Sequence, residues 1–143
     1  MRWIVPLALA AITAGSAALA DPEARTWRLL SVGETPAEGE AFIGFGADGV
    51  FGSTGCNRFS GGIEAAPGEL TFSEAMAVTR MACPGTLGAQ ETAVLSALRG
   101  TVAVAYDPLA ERMELRPGGE APVLLFARMF EENVETCALE TRN

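Results

Sequence analysis

Two short blocks decide how this chain folds: GCNRF at residues 55–59 and TRMACP at residues 79–84. Each block combines a glycine or proline, a polar side chain that can cap free backbone amides, an arginine and a bulky apolar residue. Such a combination is typical of a structured corner between two extended segments. The two blocks also contain Cys56 and Cys83, which are two of the three cysteines in the chain.

The N-terminus has the parts of a secretory signal peptide. It starts with a charged Met-Arg pair, continues with an apolar stretch over residues 3–14 and ends in the small residues Ala-Leu-Ala. We predict a signal peptide over residues 1–20, cleaved after Ala20, and a periplasmic or secreted protein. The alternative, a retained anchor, is disfavoured because no basic stop-transfer flank follows. Asp21 occupies the position where a bacterial lipoprotein has its cysteine, so we expect neither a lipid anchor nor a membrane span in the mature form.

The three cysteines indicate one disulfide and one remaining thiol in an exported protein. We favour a bond between Cys56 and Cys83, which would tie the two corners together. Closing a loop of this length stabilises a fold by roughly 3 to 4 kcal/mol in the chain-entropy model. The alternatives are two buried thiols packed as small hydrophobic groups, or a pairing that uses Cys137. A redox role is disfavoured because the chain has no Cys-x-x-Cys motif and no histidine.

The composition limits both the partners and the chemistry of the protein. Its formal net charge of -8 repels nucleic acid and anionic lipid surfaces. All ten cationic residues are arginines, and histidine is absent. The absence of histidine removes Ser-His-Asp and Cys-His pairs and the commonest zinc ligand. We therefore expect a protein that is not an enzyme and that has no cofactor and no metal site.

The remaining pattern predicts an antiparallel, β-rich α+β domain with a barrel-like form, built from seven or eight short strands. In the first strand, Trp27 and Leu29 should share the core face, and Met113 and Leu115 should do so in a later strand. Residues 46–49 (GADG) should form a tight hairpin whose Asp-Gly step takes positive φ. We place a single domain at residues 21–130 and an acidic C-terminal tail at residues 131–143.

One main helix is predicted over residues 87–99, where the apolar period changes from strand to helix. Gln90, Glu91 and Ser96 are expected to face away from the core. Glu91 in the first turn and Arg99 in the last turn would suit the helix dipole. The residues expected on the inward stripe are Ala89, Ala93, Val94, Ala97 and Leu98.

The order of the motifs resembles the META domain family, whose bacterial members include HslJ-like heat-shock proteins of the cell envelope. The shared features begin with a Trp-x-Leu strand, a Phe-x-x-x-Gly-x-Phe-Gly hairpin and GCNRFSGGIE. A Gly-x-Leu-x-Phe strand, TRMACP, a helix ending in Leu and a Leu-x-Phe strand follow, so the resemblance spans Thr26 to about Met129. It implies a compact β-rich fold with one helix, export to the envelope and no established catalytic activity. Family members are associated with heat shock, motility or novobiocin resistance.

Four residues of the two corners are candidates for ligand binding. Asn57 and Arg58 could bind a carboxylate or phosphate, because an arginine fork beside free backbone amides is an anion site. Thr79 and Arg80 have the same potential in the second corner. The alternative is structural: such an asparagine often satisfies a turn, and such an arginine often crosses to neighbouring carbonyl groups.

These observations lead to one main functional hypothesis and two alternatives. The main hypothesis is an exported, non-enzymatic, monomeric binding or accessory module that contacts an envelope protein or a cell-wall component during stress. The first alternative is a structural or inhibitor-like domain whose corner residues serve only stability. The second is a hydrolase that uses Asp and Glu carboxylates, which would require those side chains to converge in one cleft.

Overall fold

The computed structural model of the protein describes residues 25–129. This part of the chain contains eleven strands and one helix, α1 (Thr86–Ala97), which lies between the eighth and ninth strands. The strands are β1 (Arg25–Val32), β2 (Thr35–Pro36), β3 (Ala41–Gly46), β4 (Gly49–Thr54), β5 (Arg58–Gly61), β6 (Ile63–Ala66), β7 (Glu69–Phe72), β8 (Ala77–Val78), β9 (Gly100–Asp107), β10 (Arg112–Arg116) and β11 (Leu124–Arg128).

All of these strands form one antiparallel sheet that curls into a half-barrel. Its neighbours follow the order β6-β7-β9-β10-β11-β1-β3-β4-β5-β8, and β2 pairs with β1. The predicted fold class is confirmed, although the strand number is higher than seven or eight. The reason is that β2 and β8 have two residues each, too few to show an alternating pattern, and Gly62 divides one predicted strand into β5 and β6.

The inner face of the half-barrel carries the hydrophobic core. Trp27 and Leu29 are buried there, as are Met113 and Leu115, so both predicted pairs of inward residues are confirmed. Burying one such side chain contributes about 1.5 to 3 kcal/mol, which makes this face the main source of stability. Further buried members of the core are Ile43, Val50, Phe59, Phe72, Val102, Leu124 and Phe126.

The two ends of the half-barrel differ. Helix α1 contacts β1 and β4 and packs Val94 and Ala97 into the core, and Leu98 follows directly after it. We call this end, where β4 finishes and β9 begins, the closed end. The opposite end, where β1 begins and β9 finishes, is covered by no helix within residues 25–129, and we call it the open end.

The hairpin between β3 and β4 forms where predicted, but its backbone differs from the expectation. Gly46 pairs with Gly49, so Ala47 and Asp48 are the two turn residues. The positive φ falls on Gly49, at 130°, and not on Asp48. A Cβ at this position would collide with the carbonyl oxygen of Gly61. Glycine is therefore required here by the close approach of β5, in addition to its φ value.

Helix α1 corrects part of the prediction about which residues face the core. Gln90 is buried and Ala89 is exposed, the reverse of the expected arrangement, whereas Ser96 is exposed as expected. Because α1 begins at Thr86 and ends at Ala97, the first turn has no acidic residue and the last turn has no basic residue. The predicted dipole contributions of Glu91 and Arg99 are therefore wrong.

Three further predictions concern residues beyond the described range. The signal peptide at residues 1–20, the acidic tail at residues 131–143 and the pairing of Cys137 all lie outside residues 25–129. Within that range, no helix is long and apolar enough to span a membrane.

Candidate functional site

The first corner lies at the closed end and joins β4 to β5. The Thr54 N–H donates to the carbonyl oxygen of Asn57 at 2.9 Å, and the Asn57 N–H donates to the Thr54 hydroxyl at 3.1 Å. Gly55 has a φ of 100°, and a Cβ there would lie 2.9 Å from Nε2 of Gln90. Glycine is needed at this position because the turn is pressed against the helix.

Asn57 joins the two corners through its side chain, which is almost fully buried. Its Oδ1 accepts hydrogen bonds from the Met81 N–H at 2.7 Å and from the Thr79 hydroxyl at 3.0 Å. Its Nδ2 donates to the Met81 carbonyl at 3.1 Å and to Oε2 of Glu91 at 2.8 Å. A primary amide has two donor hydrogens and two acceptor lone pairs, so these four bonds use its full capacity.

Thr79 connects the second corner to β5. Its N–H donates to the Arg58 carbonyl, and its hydroxyl accepts from the Arg58 N–H, both at 2.9 Å. The single hydroxyl proton is donated to Asn57. Two of the four predicted binding residues, Asn57 and Thr79, therefore meet in one network that holds the corners together. A binding role for these residues stays a prediction.

Glu91 completes this network from α1, although the sequence pattern predicted that it faces away. Its Oε2 accepts from Nδ2 of Asn57 at 2.8 Å and from the Thr54 hydroxyl at 3.1 Å. Hydrogen bonds to a carboxylate are roughly twice as strong as those between neutral groups. The carboxylate of Glu91 therefore fastens the helix to the first corner.

Gln90 makes a second polar connection between the helix and the strands. Its Oε1 accepts from the Glu38 N–H at 2.8 Å, and its Nε2 donates to the carbonyl groups of Glu38 and Thr54 at 2.9 Å and 2.7 Å. A signal for this burial was present in the sequence, since residue 90 precedes Val94 and Ala97 at helical spacing. The signal was overlooked because a polar residue was assumed to face solvent.

A disulfide links Cys56 to Cys83 with a Cα–Cα distance of 6.0 Å, which is the favoured sequence pairing. Nδ2 of Asn57 lies 3.2 Å from Sγ of Cys83, so the bond and the polar network are adjacent. Cys56, Cys83 and Glu91 bring one potential metal-ligand atom each within 4.8 Å of one another. The arrangement lacks a zinc donor set because the disulfide occupies both thiolates.

Arg58 and Arg80 occupy the outer surface of the corners. Both side chains are exposed, and within residues 25–129 neither guanidinium has a hydrogen bond or ion pair. Met81, which follows Arg80, is also exposed. The other two predicted binding residues are thus on the solvent side, separated from the buried amide of Asn57 and the half-buried carboxylate of Glu91.

A shallow groove of about 570 Å³ runs along the outer face of the sheet beside Arg58. Phe42 on β3 and Phe51 on β4 form its aromatic part, with ring centroids 6.5 Å apart and nearly perpendicular planes. Ser60, Ala77 and Thr79 form the other wall. The groove therefore places the Arg58 guanidinium, which has no ion-pair partner among residues 25–129, beside two half-exposed aromatic rings.

The fold and its corners define a class: an antiparallel half-barrel with one end closed by a helix and with cross-linked corners. A family model for the META domain matches residues 18–130. The chain belongs to the META domain family, and the resemblance read from its motifs is confirmed.

Solved structures share this fold. One NMR structure is 28% identical in sequence, with a TM-score of 0.59. The match covers 72% of this chain and 87% of the chain in that structure. A second NMR structure, of a protein from Burkholderia xenovorans, is 24% identical in sequence, with a TM-score of 0.58. The match covers 75% of this chain and 83% of the chain in that structure. The search of curated proteins found no match.

Proposed function

We propose that the protein is an exported, non-enzymatic META-domain module that binds another component of the cell envelope during stress. The binding surface in this proposal is the outer groove beside Arg58. The observation that carries it is the exposed guanidinium at the rim of the aromatic groove, without an ion-pair partner in the described part of the chain.

The chemistry of the groove indicates the type of group it would bind. An arginine fork forms paired hydrogen bonds with a carboxylate or phosphate, and the rings of Phe42 and Phe51 offer apolar contact next to it. A protein with a net charge of -8 repels anions over most of its surface, so a local arginine can direct them to one place. A partner with an anionic group beside an apolar or aromatic group fits this surface.

A non-enzymatic role is supported by the chemistry of the side chains near the groove. The chain has no histidine and no lysine. The Thr79 hydroxyl and the Asn57 amide are already engaged in the network of the corners, and Cys56 and Cys83 are oxidised to a disulfide. None of these groups is positioned as a nucleophile with a neighbouring base.

Export is supported by two independent features. Residues 1–20 have the charged, apolar and small-residue parts of a signal peptide. The Cys56–Cys83 bond suits an oxidising compartment such as the periplasm. Mass spectrometry of the protein recovered from the envelope fraction tests this part, with an expected N-terminus at Asp21.

Site-specific photo-crosslinking in living cells tests the binding surface. A photo-reactive side chain is placed at Ser60, inside the groove, and a matched one at Glu114, on β10. We expect a defined crosslinked product from position 60 only, with a larger yield after heat shock. The same products from both positions, or none from position 60, would contradict the proposal.

Arginine variants show whether the guanidinium takes part. Arg58→Ala should reduce the crosslink at position 60 about tenfold, since a hydrogen bond to a charged group is worth about 1.5 to 3 kcal/mol. Arg112→Ala, an exposed arginine on β10, is the matched control and should have no effect. Arg80→Ala tests whether the predicted site extends to the second corner.

The structural alternative has its own supporting observation. Asn57 and Thr79 use their side chains to hold the two corners together, as a domain built only for stability would require. Under this alternative, Arg58→Ala would lower the melting temperature. The crosslink yield would then fall only as much as the amount of folded protein falls. Lost crosslinking at an unchanged melting temperature supports the binding role instead.

A further inference from the structure

Three side chains with metal-ligating atoms converge where the two corners meet helix α1. They are Cys56 of the first corner, Cys83 of the second corner and Glu91 of the helix, and one sulfur or oxygen atom of each lies within 4.8 Å of the others. All three residues are half-buried, so solvent reaches them. Three separate segments of the chain therefore bring two sulfur atoms and one carboxylate to a single accessible place.

The redox state of the two cysteines decides whether this cluster can bind a metal ion. The thiolate is the form of cysteine that ligates metals, so the Cys56–Cys83 disulfide offers no sulfur ligand. Before the disulfide forms, and again after its reduction, both residues carry thiols. Two thiolates beside the carboxylate of Glu91 would place three negative charges together, which a bound divalent cation offsets.

The spacing between Cys83 and Glu91 already matches the edge of a zinc site. Sγ of Cys83 lies 3.3 Å from Oε2 of Glu91. Zinc–sulfur and zinc–oxygen bonds of about 2.3 and 2.0 Å at a tetrahedral angle place two such ligand atoms about 3.5 Å apart. The same geometry separates two sulfur ligands by about 3.8 Å, which rotation of a released cysteine side chain can supply. The cluster therefore approaches zinc geometry once the sulfur atoms are freed from each other.

Hydrogen bonds from the polar network of the corners hold the carboxylate of Glu91 in position. Nδ2 of Asn57 and the Thr54 hydroxyl donate to its Oε2 at 2.8 Å and 3.1 Å. The same Nδ2 lies 3.2 Å from Sγ of Cys83. Partners of this kind orient the ligands of metal sites and tune their affinity. The amide of Asn57 is therefore placed to support two ligands at once.

We propose that Cys56, Cys83 and Glu91 bind a zinc ion when the two cysteines are reduced, so that the metal replaces the disulfide as the link between the corners. The absence of histidine led to the expectation of no metal site, but here a carboxylate supplies the third ligand. Thiolates select Zn²⁺ over Mg²⁺ and Ca²⁺, which prefer oxygen ligands. Zn²⁺ displaces one proton from each thiol, and a water molecule takes the fourth tetrahedral position. The proposal does not depend on the binding role of the outer groove.

Cobalt binding tests the site, because Co²⁺ replaces Zn²⁺ and gives a sulfur-to-cobalt absorption band when thiolates bind it. Cys137 lies outside the described residues, so Cys137→Ser in the chain from residue 21 to 143 leaves only two thiols. A phosphine reductant opens the disulfide, giving two thiols and taking the oxygen of a water molecule as phosphine oxide. After anaerobic removal of the reductant, we expect the band to saturate at one Co²⁺ per chain and to vanish when Zn²⁺ is added. No band in the reduced chain, or the same band in the oxidised chain, would overturn the proposal.

Glu91→Gln tests the carboxylate as a ligand. Its loss should weaken Zn²⁺ binding by the reduced chain at least about tenfold, since even outer-shell partners of a zinc site change the affinity about 10- to 100-fold. Glu69→Gln, at an exposed carboxylate on β7, is the matched control and should bind Zn²⁺ as the parent chain does. Equal affinity of the two variants would overturn the proposal, because a flexible chain with two thiols would bind in that manner.

Thermal melting followed by circular dichroism connects the metal to the fold. Zn²⁺ should raise the melting temperature of the reduced chain, because a ligand that binds only the folded state stabilises it. The reduced Cys83→Ser variant, which leaves Glu91 unchanged, should show no such rise, and neither should the oxidised chain. A rise of equal size in Cys83→Ser, or no rise in the reduced parent chain, would overturn the proposal.

Discussion

The closed and open ends of the half-barrel use different chemistry on the same sheet. At the closed end, the helix, a disulfide and the amide of Asn57 meet, and the buried side-chain polar atoms of the described residues all have hydrogen-bond partners. At the open end, Trp27 and Tyr106 stand against apolar neighbours and leave a groove of about 610 Å³. The closed end is therefore built to stay fixed, and the open end has apolar surface left to bury.

This difference indicates how the fold divides stability from recognition. A buried polar group that loses its partner costs about 1 to 3 kcal/mol, so substitutions inside the closed end are expensive. A half-exposed ring removes only part of its apolar area from water, so replacing it lowers the free energy of unfolding by less. Substitutions on the outer surface beside Arg58 should lower the free energy of unfolding least. Four predictions test this gradient, in order of decreasing effect.

Removing the disulfide should have the largest effect on the closed end. Replacing Cys56 and Cys83 together by serine should lower the free energy of unfolding by about 3 to 4 kcal/mol, because the unfolded chain gains loop entropy. Urea unfolding followed by tryptophan fluorescence measures this value. Cys137→Ser is the control for loss of a thiol, and a loss below about 1 kcal/mol in the double variant would mean that hydrogen bonds alone fix the corners.

Asn57→Ala should lower the free energy of unfolding by about 2 to 3 kcal/mol, because the Met81 N–H and the Glu91 carboxylate lose a buried partner. Chemical denaturation gives the value, and Ser60→Ala on the exposed side of β5 is the matched control. Equal stability of the two variants would show that water replaces the amide. The closed end would then be less tightly organised than its hydrogen bonds indicate.

At the open end, Tyr106→Ala should cost about 1 to 1.5 kcal/mol, chiefly through the edge-to-face contact with Trp27. Tyr106→Phe keeps the ring and should be close to neutral. Denaturation curves compare the two variants. A loss in Tyr106→Ala that exceeds the loss in Asn57→Ala would reverse the ranking of the two ends.

The smallest effect is expected on the outer surface. Arg58→Ala and Arg80→Ala should change the free energy of unfolding by less than about 0.5 kcal/mol, because both side chains are exposed. Thermal melting of the two variants beside the unmodified protein measures this. A fall in melting temperature by more than about 5 °C would assign the arginines to stability and favour the structural alternative.

Much of the fold could be predicted because strand alternation is a local property. Trp27 and Leu29, and likewise Met113 and Leu115, face the core as their spacing indicates. The weaker predictions concerned elements without a local pattern, such as the two-residue strand β8. Its pairing with β5 depends on where the second corner is held, which is decided by contacts with Asn57.

The candidate site was only partly visible in the sequence. Asn57 and Thr79 stood out because they belong to the two motif blocks. The disulfide that joins these blocks, Cys56–Cys83, was the favoured pairing. Glu91 and Gln90 were assigned to the solvent side because a polar residue on a helix usually faces water. The burial of Gln90 and the partial burial of Glu91 depend on carbonyl and amide groups more than thirty residues away, at Thr54 and Asn57.

The sequence by itself determined the family and the antiparallel β-rich class, and it favoured the cross-link between the corners without excluding its alternatives. These features rest on short motifs and alternating patterns, whose physical cause lies within a few neighbouring residues. Only the tertiary structure decided which polar side chains are buried and that one end is closed while the other remains open. A buried polar group is stable only where distant strands and the helix bring it a partner, and no local pattern records that meeting.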